Sequence, residues 1–158
     1  MKFFIPCWIA LSAMFPKNPS KSYVHKQSKK VADRIYTCNR VATIAESEDL
    51  DPILLIALAF HESRFSNVTS RRNAKGPLGA IAKWHCPKNK KCDYVRAGVQ
   101  AFNKFLTLNY GDRCTAIAQF NRGLNGKCEE GRSEFYYATQ VLSLYDDLCT
   151  KSQMCQGC

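Results

Sequence analysis

Acidic residues are scarce in this chain: 13 Asp and Glu stand against 23 Lys and Arg, a formal net charge of +10. That balance predicts an anionic partner, such as nucleic acid, a membrane surface or a bacterial wall polymer, without choosing among them. Long apolar runs are missing too. The N-terminal run over residues 3–15 is too short to span a bilayer. No stretch alternates apolar and polar residues for long enough to predict a strand with assurance, and there is no internal repeat or low-complexity tract. A Gly-rich phosphate loop is absent. The three histidines, His25, His61 and His85, show no metal-ligand spacing. His61-Glu62 is not a zinc-protease motif, because no histidine lies three residues after the glutamate. His61 reads instead as a packed or hydrogen-bonded helix residue. No metal or cofactor is expected.

At 158 residues the chain is long enough for one domain with a real core. Lys2 followed by the apolar run fits a secretory signal peptide over residues 1–15, with Ser12 and Ala13 as small residues near a cleavage point. An uncleaved anchor and a buried first helix are the other readings, and Pro6 argues weakly against the helix. A basic linker is expected over 16–28, a main domain over 29–150 and a cysteine-containing tail over 151–158. Loss of Cys7 with a signal peptide would leave eight of the nine cysteines. An even set in a chain of this size predicts a disulfide framework and a secreted or periplasmic location. Cys86 and Cys92 flank a short Lys-rich loop and could close it. Cys155 and Cys158 have the spacing of a redox or zinc pair, but a tail staple onto the domain is favoured. Asn67-Val68-Thr69 is a glycosylation sequon.

Helical spacing organises most of the rest. Val31, Ile35, Cys38, Ala42 and Ala45 predict an amphipathic helix over about 29–48. Asp93 can cap a helix that buries Val95, Val99, Phe102 and Leu106. Gly111 breaks it, and Asp112 caps the next, with Ala116, Ile117 and Phe120 inward. Ser133 is expected to cap a last helix with Val141, Leu144 and Leu148 inward. A short helix is expected to begin in Gly79-Ala80-Ile81-Ala82. The class is mostly α, with room for a small hairpin after Glu62.

The chemistry centres on residues 51–84. Asp51 is a good N-cap and Pro52 suits the first helical position. Every residue from Ile53 to Phe60 is apolar, so this helix is expected to be buried. Glu62 follows Leu58 by four and Leu55 by seven, which puts it on their face. A carboxyl there is desolvated, holds its proton to higher pH and can protonate a leaving group. The plainer reading is a helix-end glutamate that reaches solvent or pairs with Arg64. From Glu62 to Asp93 there is no further acid, while Arg64, Arg71, Arg72, Lys75, Lys83, Lys88, Lys90 and Lys91 fall in between. A two-carboxylate glycosidase needs its second acid roughly 5–10 Å from the first. Unless Asp93, Asp112 or Glu129 folds back, Glu62 works alone, as acid first and base later.

Four motifs in register resemble the soluble lytic transglycosylases of the goose-lysozyme-like group. They are Glu62-Ser63-Arg64-Phe65 at the end of the apolar helix, the segment 76–82 (GPLGAIA), the segment 119–123 (QFNRG) and the segment 137–141 (YATQV). Order and spacing fit over about residues 30–148. The resemblance implies a lysozyme-like single domain that cleaves the bond between N-acetylmuramic acid and N-acetylglucosamine in peptidoglycan; the cysteine count, unusual for that family, makes this a disulfide-stapled version. The resemblance makes Glu62 the sole acid/base and a 1,6-anhydro sugar the product. It places Ser63, Gly79, Ile81, Phe120, Asn121 and Tyr137 around the substrate. Two positions depart from the family pattern. Ile81-Ala82 replaces Met-Gln, which removes an amide, and Phe120 replaces a tyrosine, which removes a hydroxyl. A lysozyme-type hydrolase and a cationic wall-binding protein with a degenerate site are the alternatives. The expected partner is the glycan strand, with transient contact to an anionic wall or membrane surface, and the protein is expected to act as a monomer. Nucleic-acid binding is not expected, because the aromatics fall mainly at core spacing and no stacking motif occurs.

Overall fold

The computed structural model describes residues 1–15, 17, 21–67, 69, 73–88 and 90–155, with residues 21–28 described by backbone alone. Val68, Arg71, Arg72, Cys158 and the side chain of His25 lie outside this description. Seven helices and one two-stranded antiparallel hairpin are formed by the described residues.

Helix α3 (Pro52–Ser63) is the centre of the core, and Ile53 to Phe60 are all buried. Asp51 caps it by accepting from the amides of Ile53 (3.0 Å) and Leu54 (3.3 Å). The second carboxylate oxygen of Asp51 accepts from Tyr145 (2.8 Å) and Arg113 (3.2 Å), whose guanidinium lies over the Tyr145 ring. The start of α3 is thereby tied to α6 (Arg113–Arg122) and α7 (Ser133–Ser152). Helix α2 (Lys21–Ser47) packs along α3 and buries Ile35, Cys38, Val41, Ala42 and Ala45.

Helix α5 (Tyr94–Leu108) begins at the cap Asp93 and buries Val95, Val99 and Phe102, as its spacing predicts, while Leu106 is half-buried. The hairpin pairs β1 (Ala74–Lys75) with β2 (Ala80–Ile81) and leads into the single turn α4 (Ala82–His85). It sits directly on α5. Leu78 at its tip is buried against Gly98, where an added Cβ would come within 2.6 Å of the Leu78 Cβ.

Two boundaries differ from expectation. Helix α2 starts at Lys21, inside the stretch read as a linker, because residues 21–30 carry no glycine or proline to stop it. Ser133 is the first residue of α7 rather than its cap, and its hydroxyl bonds Glu134 instead of a backbone amide. Residues 1–15, read as a cleaved export signal, carry helix α1 (Phe4–Ser12), which packs against α2, α3 and α7. Phe3, Cys7, Ala10 and Leu11 are buried there. Pro6 is tolerated because it falls in the first turn, where its missing N–H has no helical partner to lose.

With residues 1–15 in place, Cys7 pairs with Cys38. Cys86–Cys92 closes the Lys-rich loop as expected, Cys114–Cys128 ties α6 to the segment before α7, and Cys149–Cys155 staples the tail to α7. Four disulfides fit an oxidising environment. No helix among the described residues is long and apolar enough to cross a membrane.

Candidate active site

Glu62 lies in the last turn of α3, one residue before the helix ends. The chain leaves the helix through Arg64 and Phe65, both at positive φ (55° and 59°). This turn seats the Phe65 ring in the core beside Phe60, with centroids 5.6 Å apart. Arg64 folds back along α3. Its guanidinium donates to the Phe60 carbonyl (2.9 Å) and covers the Phe60 ring. It forms no ion pair with Glu62, which is half-buried.

Glu62 lines a cavity of about 620 Å³, walled by the hairpin, α5 and the end of α6. Burial raises its pKa above the usual carboxylate range, partly offset by the hydroxyl of Tyr137, which donates to Oε1 at 2.5 Å. The other carboxylate oxygen has no hydrogen bond to any described residue. Tyr137 is itself pushed well above the ordinary phenol range by burial and by the adjacent carboxylate. His61, one residue before the acid, packs edge-on against the Tyr137 ring and hydrogen-bonds the backbone of Gln140. Burial, then the charge of Arg64, lowers its pKa, so it supports the pair as a neutral ring.

No other acid lines the cavity among the described residues. The three candidates for a second carboxylate are engaged elsewhere. Asp93 caps α5 and pairs with Arg40 (2.7 Å), Asp112 caps α6 and bonds Thr115, and Glu129 pairs with Arg132 and Lys127. Nor do the described residues hold a cluster of His, Cys, Asp and Glu suited to a metal.

Of the residues expected around the substrate, five share one cavity, while Tyr137 bonds Glu62 without lining it. Ser63, Gly79, Ile81, Phe120 and Asn121 all line the same cavity as Glu62. Their roles differ. Ser63 donates to the Pro77 carbonyl (2.8 Å) and accepts from the Ser66 amide (3.1 Å), so its hydroxyl fastens the hairpin to α3. Phe120 stacks edge-on with Phe102 and Phe105 and supplies an apolar wall. Gly79, the turn residue just before β2, adopts φ +63°, which glycine takes without strain. Asn121 is exposed at the end of α6 and lines the cavity.

Thr69, His85 and Gln119 also line the cavity and were not singled out by sequence reasoning. Gln119 stands first in the third motif, which was the available signal. Its amide oxygen accepts from Asn109 (2.8 Å), and its nitrogen reaches the Leu124 carbonyl. His85 and Thr69 belong to none of the four segments that carry the resemblance. No family model matches the chain, and no match emerges among curated proteins or solved structures.

Proposed function

We propose that this chain is a lysozyme-like, extracytoplasmic enzyme that cleaves peptidoglycan as a lytic transglycosylase, with Glu62 as its single acid/base. The observation that carries the reading is one desolvated carboxyl on the wall of a cavity that no second acid lines among the described residues. Glu62, protonated, gives its proton to the oxygen bridging N-acetylmuramic acid and N-acetylglucosamine. The C1–O bond breaks, and positive charge at C1 is met by the sugar's own acetamido group. The muramoyl 6-hydroxyl then attacks C1, and its proton passes to the Glu62 carboxylate. The acid is restored and a 1,6-anhydro ring remains; no water is consumed.

Tyr137 steadies the carboxyl through one oxygen and leaves the other to the substrate. The net charge of +10 favours an anionic wall as the surface on which the enzyme works. Four disulfides support action outside a reducing cytoplasm.

Digestion of purified peptidoglycan followed by mass analysis tests the proposal. Anhydro-ended fragments are expected. Reducing ends would instead mark a hydrolase, and wall binding without fragments would mark a degenerate site. Glu62→Gln should lower lysis by about 10²–10⁴-fold, the usual share of a positioned proton donor, while circular dichroism stays unchanged. Lysis at the parental rate in that variant would remove Glu62 from the mechanism.

A further inference from the structure

His85 is the only titratable side chain besides Glu62 among the described residues that line the cavity. It closes the single turn α4, four residues after Ile81, and is half-buried. Its Nδ1 accepts the Ile81 amide proton at 2.8 Å. A ring nitrogen that accepts carries no proton, so the neutral ring keeps its proton on Nε2. Burial, then the charge of Lys104, lowers the His85 pKa and keeps the ring neutral. Nε2 has no partner among the described residues.

The ring therefore presents one N–H donor, held in place from its far side. It cannot serve as a base, because Nδ1 is occupied by the Ile81 amide and Nε2 is already protonated. A neutral single donor is also weakly suited to an anion. It suits an uncharged oxygen, such as a sugar hydroxyl or an acetamido carbonyl. The neighbouring wall is short of such donors. Ile81 and Ala82 offer none from their side chains, Ser63 is committed to Pro77, and the Gln119 nitrogen is turned to Leu124.

We infer that His85 is a sugar-binding residue, donating its Nε2 proton to an uncharged oxygen of the glycan held beside Glu62. This rests on the proposal that the cavity takes a glycan. It also gives a place for a polar contact that the departure at Ile81-Ala82 otherwise removes.

The test uses full-length protein carrying Glu62→Gln, which binds without turnover, and a soluble saccharide of alternating N-acetylglucosamine and N-acetylmuramic acid. Calorimetry should show His85→Phe raising Kd about tenfold, the scale of one lost hydrogen bond, while His85→Gln, which keeps a donor, stays within about threefold. Nitrogen-15 spectra of the histidine ring should show the proton on Nε2 in the free protein. That N–H signal should move when saccharide is added, a response that a purely structural ring would not give. Equal affinity in the His85→Phe protein, or a proton found on Nδ1, would overturn the inference while leaving the glycan reading intact. Failure of the Glu62→Gln protein itself to bind saccharide would sink the glycan reading, and this one with it.

Discussion

A carboxylic acid donates a proton only while it holds one, and Glu62 is placed to hold it. Desolvation favours its neutral form, and the Tyr137 hydroxyl pulls the other way by bonding the charged form. Activity that needs the protonated acid should fall as pH rises through the raised Glu62 pKa. Tyr137→Phe removes the bond that favours the anion, so the alkaline limb of the pH–rate profile should move to higher pH. The rate at the optimum should drop, because the carboxyl is no longer oriented. A limb that stays in place, or moves to lower pH, would show that Tyr137 does not tune Glu62. The residue's face was legible from its spacing after Leu55 and Leu58, since helical period alone fixes it. The contact with Tyr137 was legible only through the family resemblance, because no local rule brings residue 137 to residue 62. The left-handed pair Arg64 and Phe65 had no signal at all, as neither is a glycine or an asparagine.

Elements were legible where one residue decides them. Asp51, Asp93 and Asp112 each accept backbone amide protons at the starts of α3, α5 and α6, as cap chemistry requires. Ser133 has the same chemistry but loses the position to Arg132, which shows that a cap residue marks a helix start only to within a turn. The two-residue strands of the hairpin are too short for an alternating pattern; their place is set by the turn over 76–79 and by Leu78 seated on α5. Gly98 permits that seat. A methyl group there gains helix propensity but meets the Leu78 Cβ, so Gly98→Ala should destabilise the fold by about 1–3 kcal/mol, as overpacking does. Denaturant titration of the variant measures this, and an unchanged or raised midpoint would mean the hairpin yields freely. Because the hairpin walls the cavity, substrate binding should weaken together with stability.

Across the whole molecule, covalent links hold together what the helices alone would leave loosely joined. Cys86–Cys92 and the Cys155 tail staple were legible, since six residues of separation favour closure; Cys7–Cys38 and Cys114–Cys128 depend on how helices pack. Cys7–Cys38 closes a loop of 31 residues and fastens α1 to α2. Replacing both cysteines by serine should cost roughly 2–4 kcal/mol, the range for loops of this size. Thermal melts of the double variant check the magnitude, and peptide mapping without reductant should recover the Cys7–Cys38 pair. Cys38 recovered with another partner would overturn the arrangement at α1. The hydrogen bond between Glu62 and Tyr137 joins residues 75 positions apart. During synthesis the proton donor emerges long before the hydroxyl that steadies it. A ribosome-bound or truncated polypeptide stopping short of residue 137 would thus carry its acid unaccompanied, and the proposed chemistry would have its complete pair only with the docking of the final long helix.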